Sequence, residues 1–414
     1  MVMFLDLNRK NTVWNMIGAT TNAFTSLVFV MITTFINGKE EAGIFSYGFA
    51  TALILFCLAN YITRPYQVTD ISDRYSDSDY IYVRVFTCLI SIVCAMIFCI
   101  ARQYDFYKIS VIILLCIYRA IEAFIETYYA IIQKRNLLYK VGISLTVRAL
   151  LGVAVFLVGD ILTRNLIFAV ALLIAVNALC FVFYDLPNAR GCRIKKSNPS
   201  VKVGVSLLKA GLFNFVLTAL NSLVINISRY AIDEYETNVV QAIFGYIIIP
   251  ATFMNLFGQY IIQPVLTTIS SGIKEKDYKK ISSVISKVML ILIAGGIAVT
   301  VIAFFLEAPV LSILFGMDFA PFKSEMMIII IGSVMYALEV VISFILVAFR
   351  VTGIQAAIYA VVTAASAVSA FALVKQNGLM GASVTYIVSM AALALSLGLV
   401  LIIKLSKCKK EWGK

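Results

Sequence analysis

The residues of this 414-residue chain best suited to chemistry are charged side chains inside apolar runs. Arg119, Glu122 and Glu126 share one such run, and Arg148 lies midway along the next. At 100° per residue the first three fall within about 60° of one another, on a single helix face. Ionised groups at bilayer depth cost a few kcal/mol each unless they face protein or water, and they often mark a transport pathway. We therefore predict that the four side chains line an aqueous cavity.

A structural interpretation of the same charges remains open. Arg119 and Glu122 are three residues apart, so they could neutralise each other and lock neighbouring helices together without touching any cargo. That interpretation accounts for neither Glu126 nor Arg148.

A second acidic position is suggested by a short match between A-L-E-V (337–340) and A-I-E-A (120–123). It places Glu339 where Glu122 stands in the first half of the chain. We predict that the three acids, Glu122, Glu126 and Glu339, couple transport to an ion, either H⁺ or Na⁺. Burial favours a protonated carboxyl and a nearby arginine opposes it, so Glu126 and Glu339 are the better proton carriers.

Composition identifies the class of protein that must position these groups. The chain is 61% hydrophobic and only 14% charged, which is typical of a polytopic membrane protein. It has no histidine, which excludes histidine-based catalysis, proton relay and metal ligation. Its eight cysteines contain no C-x-x-C pair, so we expect no metal site, and no cofactor beyond the coupling ion.

Twelve apolar runs are each close to the roughly 20 residues that a membrane helix requires. They are 13–35, 42–63, 83–101, 109–132, 141–158, 165–184, 207–228, 239–267, 288–306, 326–349, 354–374 and 379–403. With the amino terminus inside, 25 of the 34 lysines and arginines lie on the inner side and 7 on the outer. This asymmetry predicts cytoplasmic termini and explains the net charge of +12 without nucleic-acid binding.

An internal repeat divides the chain. Residues 44–69 recur as 243–268 at an offset of 199, with eight identities in 26 positions, although shared helical composition could also produce them. Internal repeats in a hydrophobic chain are typical of secondary transporters. We predict a six-helix half at 1–186, a basic cytoplasmic linker at 187–203 and a second six-helix half at 204–414. The offset spans six helices, so we expect pseudo-twofold symmetry about the membrane normal.

Three polar positions have two interpretations each. Arg64 ends the second apolar run, directly before Pro65, where an arginine is either an interfacial anchor or a ligand for an anion. Asn22 recurs as Asn221 at the repeat offset. Paired asparagines either hold helices together or hydrogen-bond sugar hydroxyls.

Three short motifs resemble one transporter family. R-Y-A-I-D (229–233), with Arg229 and Asp233 one helical turn apart, resembles a signature of Wzx-type polysaccharide flippases. R-P-Y-Q-V-T-D (64–70) and Y-R-A-I-E-A-F-I-E-T-Y-Y-A-I-I-Q-K-R (118–135) are similar to patterns of the same family. The family belongs to the multidrug/oligosaccharidyl-lipid/polysaccharide (MOP) exporter superfamily.

The resemblance implies an all-α membrane protein with about twelve helices in two pseudo-symmetric bundles around a central cavity. The implied cargo is an undecaprenyl-pyrophosphate-linked oligosaccharide, flipped to the outer leaflet of a bacterial cell membrane for capsule, O-antigen or exopolysaccharide assembly. Its pyrophosphate would need the cations of Arg119, Arg148 and Arg64, and its sugars the amides of Asn22 and Asn221. Membrane lipids, a polysaccharide polymerase and glycosyltransferases are the expected partners, and the chain is not expected to be an enzyme.

Two other functions fit these residues less well. A drug or cation antiporter of the same fold would favour carboxylates without arginines, so the intramembrane arginines disfavour it. A membrane-embedded glycosyl polymerase or transferase would need a sizeable catalytic loop outside the membrane, and the predicted loops are short.

Overall fold

The chain is described by a computed structural model over residues 2–70, 74–192, 194–195, 197–198, 200–262 and 265–412. The described residues form helices and contain no strand. The helices are α1 (Val2–Asn37), α2 (Lys39–Ala59), α3 (Arg64–Thr69), α4 (Asp77–Ala101), α5 (Phe106–Lys134), α6 (Leu138–Thr163), α7 (Leu166–Cys180), α8 (Leu186–Gly191), α9 (Val201–Tyr235), α10 (Asn238–Ile247), α11 (Ile249–Ile262), α12 (Leu266–Glu275), α13 (Tyr278–Phe315), α14 (Lys323–Ala348) and α15 (Thr352–Trp412). A π-helical turn, Phe181–Asp185, joins α7 to α8, and a 3₁₀ turn, Ala320–Phe322, precedes α14.

Each of the twelve predicted spans overlaps one or two of these helices, which confirms the predicted all-α membrane fold. In the described ranges, ten helices are long and apolar enough to cross a membrane. Helix α5 is not among them because of its internal charges, and the last two predicted spans form the single helix α15. That helix breaks at Gly378, whose φ of 51° lies in the left-handed region that glycine tolerates best.

Polar caps fix where the helices that carry the charges begin. Ser76 and Asp79 form a reciprocal capping box at the start of α4. Asp105 caps α5 by accepting a hydrogen bond from the backbone N–H of Lys108, and Asn165 caps α7. These caps satisfy backbone N–H groups of the first turn and so fix the residue at which each of the three helices begins.

Two irregular segments shape the surroundings of α5. Helix α2 ends at Ala59, and α3 begins at Arg64 with Pro65 in its first turn, where proline's missing N–H costs nothing. At the end of α7, the N–H of Leu186 donates to the carbonyl of Phe181, five residues back, which defines the π turn. That turn places Asp185 in a fully buried position.

Close packing of α1 against α6 holds the arginine-bearing helix in place. A Cβ added to Gly142 would lie 2.2 Å from the backbone oxygen of Trp14, so only glycine allows this approach. Elsewhere, large apolar side chains are left exposed, as a lipid-facing surface requires. Ile100 of α4 is 65% exposed and Ile313 of α13 is 79% exposed.

The chain forms two compact units, Met1–Ser222 (unit 1) and Leu223–Lys414 (unit 2). Their boundary falls inside α9, whereas the sequence suggested the linker at 187–203. The proposed six-helix halves and their pseudo-symmetry therefore stay predictions. The repeat does agree with the helix starts, since α2 begins at Lys39 and α10 at Asn238, 199 residues later. Two positions of the repeat, 263 and 264, lie outside the described residues.

Candidate functional site

The charged face of α5 is the centre of a buried ionic cluster in unit 1. The Glu122 carboxylate pairs with the guanidinium of Arg119 through Nη1 and lies 3.6 Å from Nη2 of Arg148. The hydroxyl of Tyr118 donates to the same carboxylate over 3.1 Å. The side chains of Arg119, Glu122 and Arg148 are 15%, 10% and 6% exposed, respectively. The ion pair between Arg119 and Glu122 that sequence spacing allowed is therefore formed, and Arg148 joins it from α6.

Arg148 is held on every side by protein groups. Its Nε and Nη2 both donate to Oδ1 of Asn177, over 2.8 and 2.6 Å, and Nη1 donates to the hydroxyl of Tyr129 over 2.9 Å. Asn177 is itself fixed by a bond from Nδ2 to the carbonyl of Leu173. Asp185, brought close by the π turn, adds electrostatic attraction to the guanidinium. The expectation that Arg148 faces water is wrong, because α5 and α7 supply acceptors that its position in the sequence does not indicate.

Arg64 and Glu126 form a second, more open pair one helical turn farther along α5. Nε of Arg64 lies 3.4 Å from Oε2 of Glu126, with the two side chains 25% and 22% exposed. Nη1 of Arg64 and Nε of Arg119 are buried and have no hydrogen-bond partner in the described part of the chain. Arg64 is therefore turned toward α5 rather than extended as an interfacial anchor.

Arg119 also packs against aromatic rings. Its guanidinium carbon lies 4.4 Å from the ring centroid of Phe49 on α2 and 5.6 Å from that of Tyr118. Such stacking stabilises a cation while leaving some of its N–H donors free for another partner. The charged face thus combines guanidinium groups, aromatic rings and two donors that have no acceptor in the described ranges.

A buried arginine that the sequence analysis missed organises the α2–α3 break. Arg84 is 3% exposed and donates to the carbonyls of Ala59, over 2.8 Å, and of Ile62. Its Nε donates to the hydroxyl of Thr127, next to Glu126, over 2.8 Å. Counting the positive-inside charges placed Arg84 at the membrane surface. The capping box at Ser76 starts α4 at Asp77, before the predicted span at 83, and so places Arg84 two turns inside the helix. That motif was the sequence signal that could have indicated the burial of Arg84.

The two asparagines have different surroundings. Asn22 is half-buried on α1, where its carbonyl accepts from the hydroxyl of Thr25. Asn221 is half-buried on α9, and its Oδ1 is a buried acceptor without a partner in the described residues. Asn221 therefore has unused hydrogen-bonding capacity. Whether either asparagine contacts a sugar stays a prediction.

Glu339, the predicted acidic position in unit 2, is surrounded by uncharged side chains. Glu339 is fully buried and accepts a hydrogen bond from the hydroxyl of Tyr359. Its other oxygen has no hydrogen-bond partner, and no cation lies within ion-pair distance in the described ranges. Tyr336 and Tyr386 lie nearby. The carboxylates at the two matched positions thus differ, since Glu122 lies between two guanidinium groups and Glu339 among tyrosines.

Arg229 and Asp233 lie one turn apart on α9. The guanidinium of Arg229 is buried over the ring of Phe244, 5.5 Å from its centroid, and Asp233 is half-buried. Their predicted mutual pairing stays a prediction.

Comparison with known proteins places this geometry in context. No family model matches the chain. A capsular polysaccharide biosynthesis protein, CapF of Staphylococcus aureus, is 21% identical over 388 residues, covering 92% of this chain and 96% of that protein. An inward-facing multidrug resistance transporter of the MATE family in the MOP superfamily has a TM-score of 0.68 at 14% identity, covering 94% of this chain and 96% of that one. The eukaryotic MATE transporter AtDTX14 has a TM-score of 0.67 at 12% identity, covering 99% of each chain. The chain has the MOP exporter fold.

One further solved structure with this fold bears on the charges. A MOP superfamily transporter from Pyrococcus furiosus, described as having a binding pocket of reversed polarity, has a TM-score of 0.61 at 14% identity, covering 97% of this chain and 96% of that one. The MOP fold is therefore compatible with binding pockets of different charge. The predicted resemblance, the twelve-helix fold and the multi-pass membrane character are confirmed, and these structural neighbours are transporters rather than enzymes.

Proposed function

We propose that the chain is a flippase that moves an undecaprenyl-pyrophosphate-linked oligosaccharide from the cytoplasmic to the outer leaflet by alternating access. The observation that carries this proposal is a pair of buried guanidinium donors, on Arg64 and Arg119, that have no hydrogen-bond partner among the described residues. An unpaired buried donor is unfavourable, so a ligand oxygen at that place is stabilised. Phosphate oxygens are the strongest acceptors for arginine.

The spacing of the two pairs suits a diphosphate. Glu122 and Glu126 are one helical turn apart, about 6 Å along the α5 axis. Each acid holds one of the two partly exposed arginines, so Arg119 and Arg64 would each face one phosphate group. The carboxylates keep the empty site near neutrality, which lowers the cost of keeping the arginines within the membrane.

Arg148 has a different role in this proposal from the direct ligand that its sequence position suggests. Its bonds to Asn177 and Tyr129 leave it no free face, so it acts through Glu122 as a positioning residue. The half-buried amides of Asn22 and Asn221 are the proposed partners of the sugar hydroxyls. The polysaccharide context is supported by the relative named for capsular polysaccharide biosynthesis. Glycosyltransferases would supply the cargo and a polymerase would consume it.

Coupling to an ion is a second part of the proposal. We assign a transported proton to Glu339, because a buried carboxyl without a cationic partner is most stable when neutral. Glu122 and Glu126 each pair with an arginine, so neither is an acid without a cationic partner. The sequence analysis ranked Glu126 with Glu339 as a proton carrier; its pairing with Arg64 now disfavours Glu126 for that role. Sealed vesicles with a pH gradient, a Na⁺ gradient or a potential imposed separately would test it.

A drug or cation antiporter is the second candidate, and Glu339 is the observation that favours it. A lone buried acid among tyrosines is a suitable partner for an organic cation. We disfavour this function because the donors of Arg64 and Arg119 in unit 1 are cationic and would repel an organic cation.

The deciding experiment compares the transport of two cargoes in proteoliposomes. The protein is oriented with both termini in the lumen, so that the lumen corresponds to the cytoplasm. We expect a fluorescent polyprenyl-pyrophosphate oligosaccharide to cross, and ethidium not to cross. Arg64→Ala and Arg119→Ala should each reduce flipping at least tenfold, whereas Arg9→Ala, at an exposed arginine, should not. Ethidium transport that survives both substitutions, without oligosaccharide flipping, would identify an antiporter instead.

A further inference from the structure

We propose that unit 1 carries a second ligand site, for the phosphate headgroup of an anionic membrane lipid. The site is a cavity of about 1000 Å³ at the end of the unit where α4 begins and α8 ends. Topology predicts that this end faces the cytoplasm. The proposal is independent of the cargo, since it concerns a different surface from the charged face of α5.

One wall of the cavity is a short stretch of chain fastened to the start of α4. The hydroxyl of Ser197 donates to Oδ1 of Asp79 over 3.1 Å and lies 2.6 Å from the hydroxyl of Ser76. The N–H of Lys195 donates to Asp77 over 2.9 Å, and its carbonyl accepts from the N–H of Ser78 over 3.3 Å. These bonds tie both the backbone and a side chain of this stretch to α4, so the wall is built rather than incidental.

The base of the cavity is apolar and rigid. It includes Tyr128, whose ring packs 4.9 Å from that of Phe181 and 5.3 Å from that of Phe124. Leu186 and Ile194, which also line the cavity, pack against the same buried cluster. A ligand with an apolar portion can therefore lie against this surface.

Among the described residues that line the cavity, the rim is polar and carries one formal charge. Ser78, Ser197 and Asn198 supply neutral groups, and the exposed Arg190 supplies a cation. The carboxylates of Asp77 and Asp79, on either side of Ser78, accept hydrogen bonds from Lys195, Ser197 and Ser76.

A rim with one cation, hydroxyls and an amide above an apolar base matches a ligand with a phosphate joined to acyl chains. Arg190 is also the last basic residue of α8, at the end of a membrane-capable helix. Lipid headgroups are found at that depth.

The test is native mass spectrometry of the full chain with phosphatidylglycerol or phosphatidylcholine of identical acyl chains. We expect phosphatidylglycerol to bind more tightly, and Arg190→Ala to weaken that binding about tenfold, the effect of losing one charged hydrogen bond. Arg190→Lys should restore part of it. Arg9→Ala, which removes an exposed arginine outside the cavity, is the matched control and should leave binding unchanged.

Two further arms identify the source of the phosphate. Ser78→Trp, which places a bulky side chain on the rim without changing charge, should also reduce phosphatidylglycerol binding. Inorganic phosphate should compete only weakly. Equal binding of the two lipids, an unchanged affinity in Arg190→Ala, or full competition by inorganic phosphate would each overturn the proposal.

Discussion

Replacing Arg148 by methionine tests whether this arginine stabilises the fold or binds the cargo. The substitution keeps an unbranched apolar stem and removes the charge and the three hydrogen bonds to Asn177 and Tyr129. Because the side chain is only 6% exposed, water cannot replace those bonds. We expect Arg148→Met to lower the free energy of unfolding by about 3–5 kcal/mol, as when one partner of a buried ion pair is removed.

The contribution of the Arg148–Glu122 attraction to this change in unfolding free energy can be calculated from the distance between the two groups. At 3.6 Å between Nη2 and Oε1, a dielectric constant near 20 gives an attraction of about 4–5 kcal/mol. Glu122 shares its charge with Arg119, so we expect a smaller coupling of about 2–3 kcal/mol between the two substitutions. Glu122→Gln should therefore rescue part of the stability of Arg148→Met.

The assay is a double-mutant cycle on purified protein, with unfolding followed in detergent and membrane abundance measured in parallel. Arg119→Ala serves as the comparison, since its side chain is more exposed than that of Arg148 and we expect a smaller loss of stability with a large loss of flipping. The proposed buried network would be refuted by two results together: a coupling energy near zero between Arg148→Met and Glu122→Gln, and an Arg148→Met variant as stable as the unsubstituted protein.

Three further outcomes are expected. Arg84→Met should uncap the carbonyls of Ala59 and Ile62 and lower stability by about 2–4 kcal/mol, and Arg84→Lys should recover part of it in the same unfolding assay. Glu339→Gln should abolish the response of transport to a pH gradient but not to a potential; an unchanged pH response would make this acid structural. Burial raises the pKa of Asp70, but hydrogen bonds from two backbone N–H groups and a tyrosine hydroxyl outweigh it, so the pKa lies below its usual value. The stability that Asp70 gives the loop after α3 is therefore present above about pH 4 and lost in stronger acid, and Asp70→Asn should remove this acid sensitivity of the loop to proteolysis.

The helices could be predicted from the sequence because membrane insertion imposes a length and a polarity on every span. The shared face of Arg119, Glu122 and Glu126 followed from helical periodicity alone, and the structure places all three in the predicted part of α5. Their partners did not follow, because pairing depends on how neighbouring helices pack. Asn177 reads in the sequence as one polar residue in an apolar run, yet it fixes Arg148.

The burial of Arg84 could not be predicted from charge counting either. Charge counting treats every arginine near a span end as a surface group, so it could not distinguish Arg84 from Arg74, which is exposed. Only the capping box at Ser76 indicates that α4 starts early enough to bury the guanidinium.

The π turn at Phe181–Asp185 has a consequence for the evolutionary history of this chain. A π turn accommodates one residue more than an α-helical turn while the helix on either side keeps its register. Losing a single residue there would convert the segment into ordinary α-helix without disturbing α7 or α8. Alignments with related chains should therefore show a one-residue gap within these five positions, and chains that carry the gap should lack an acid opposite their counterpart of Arg148.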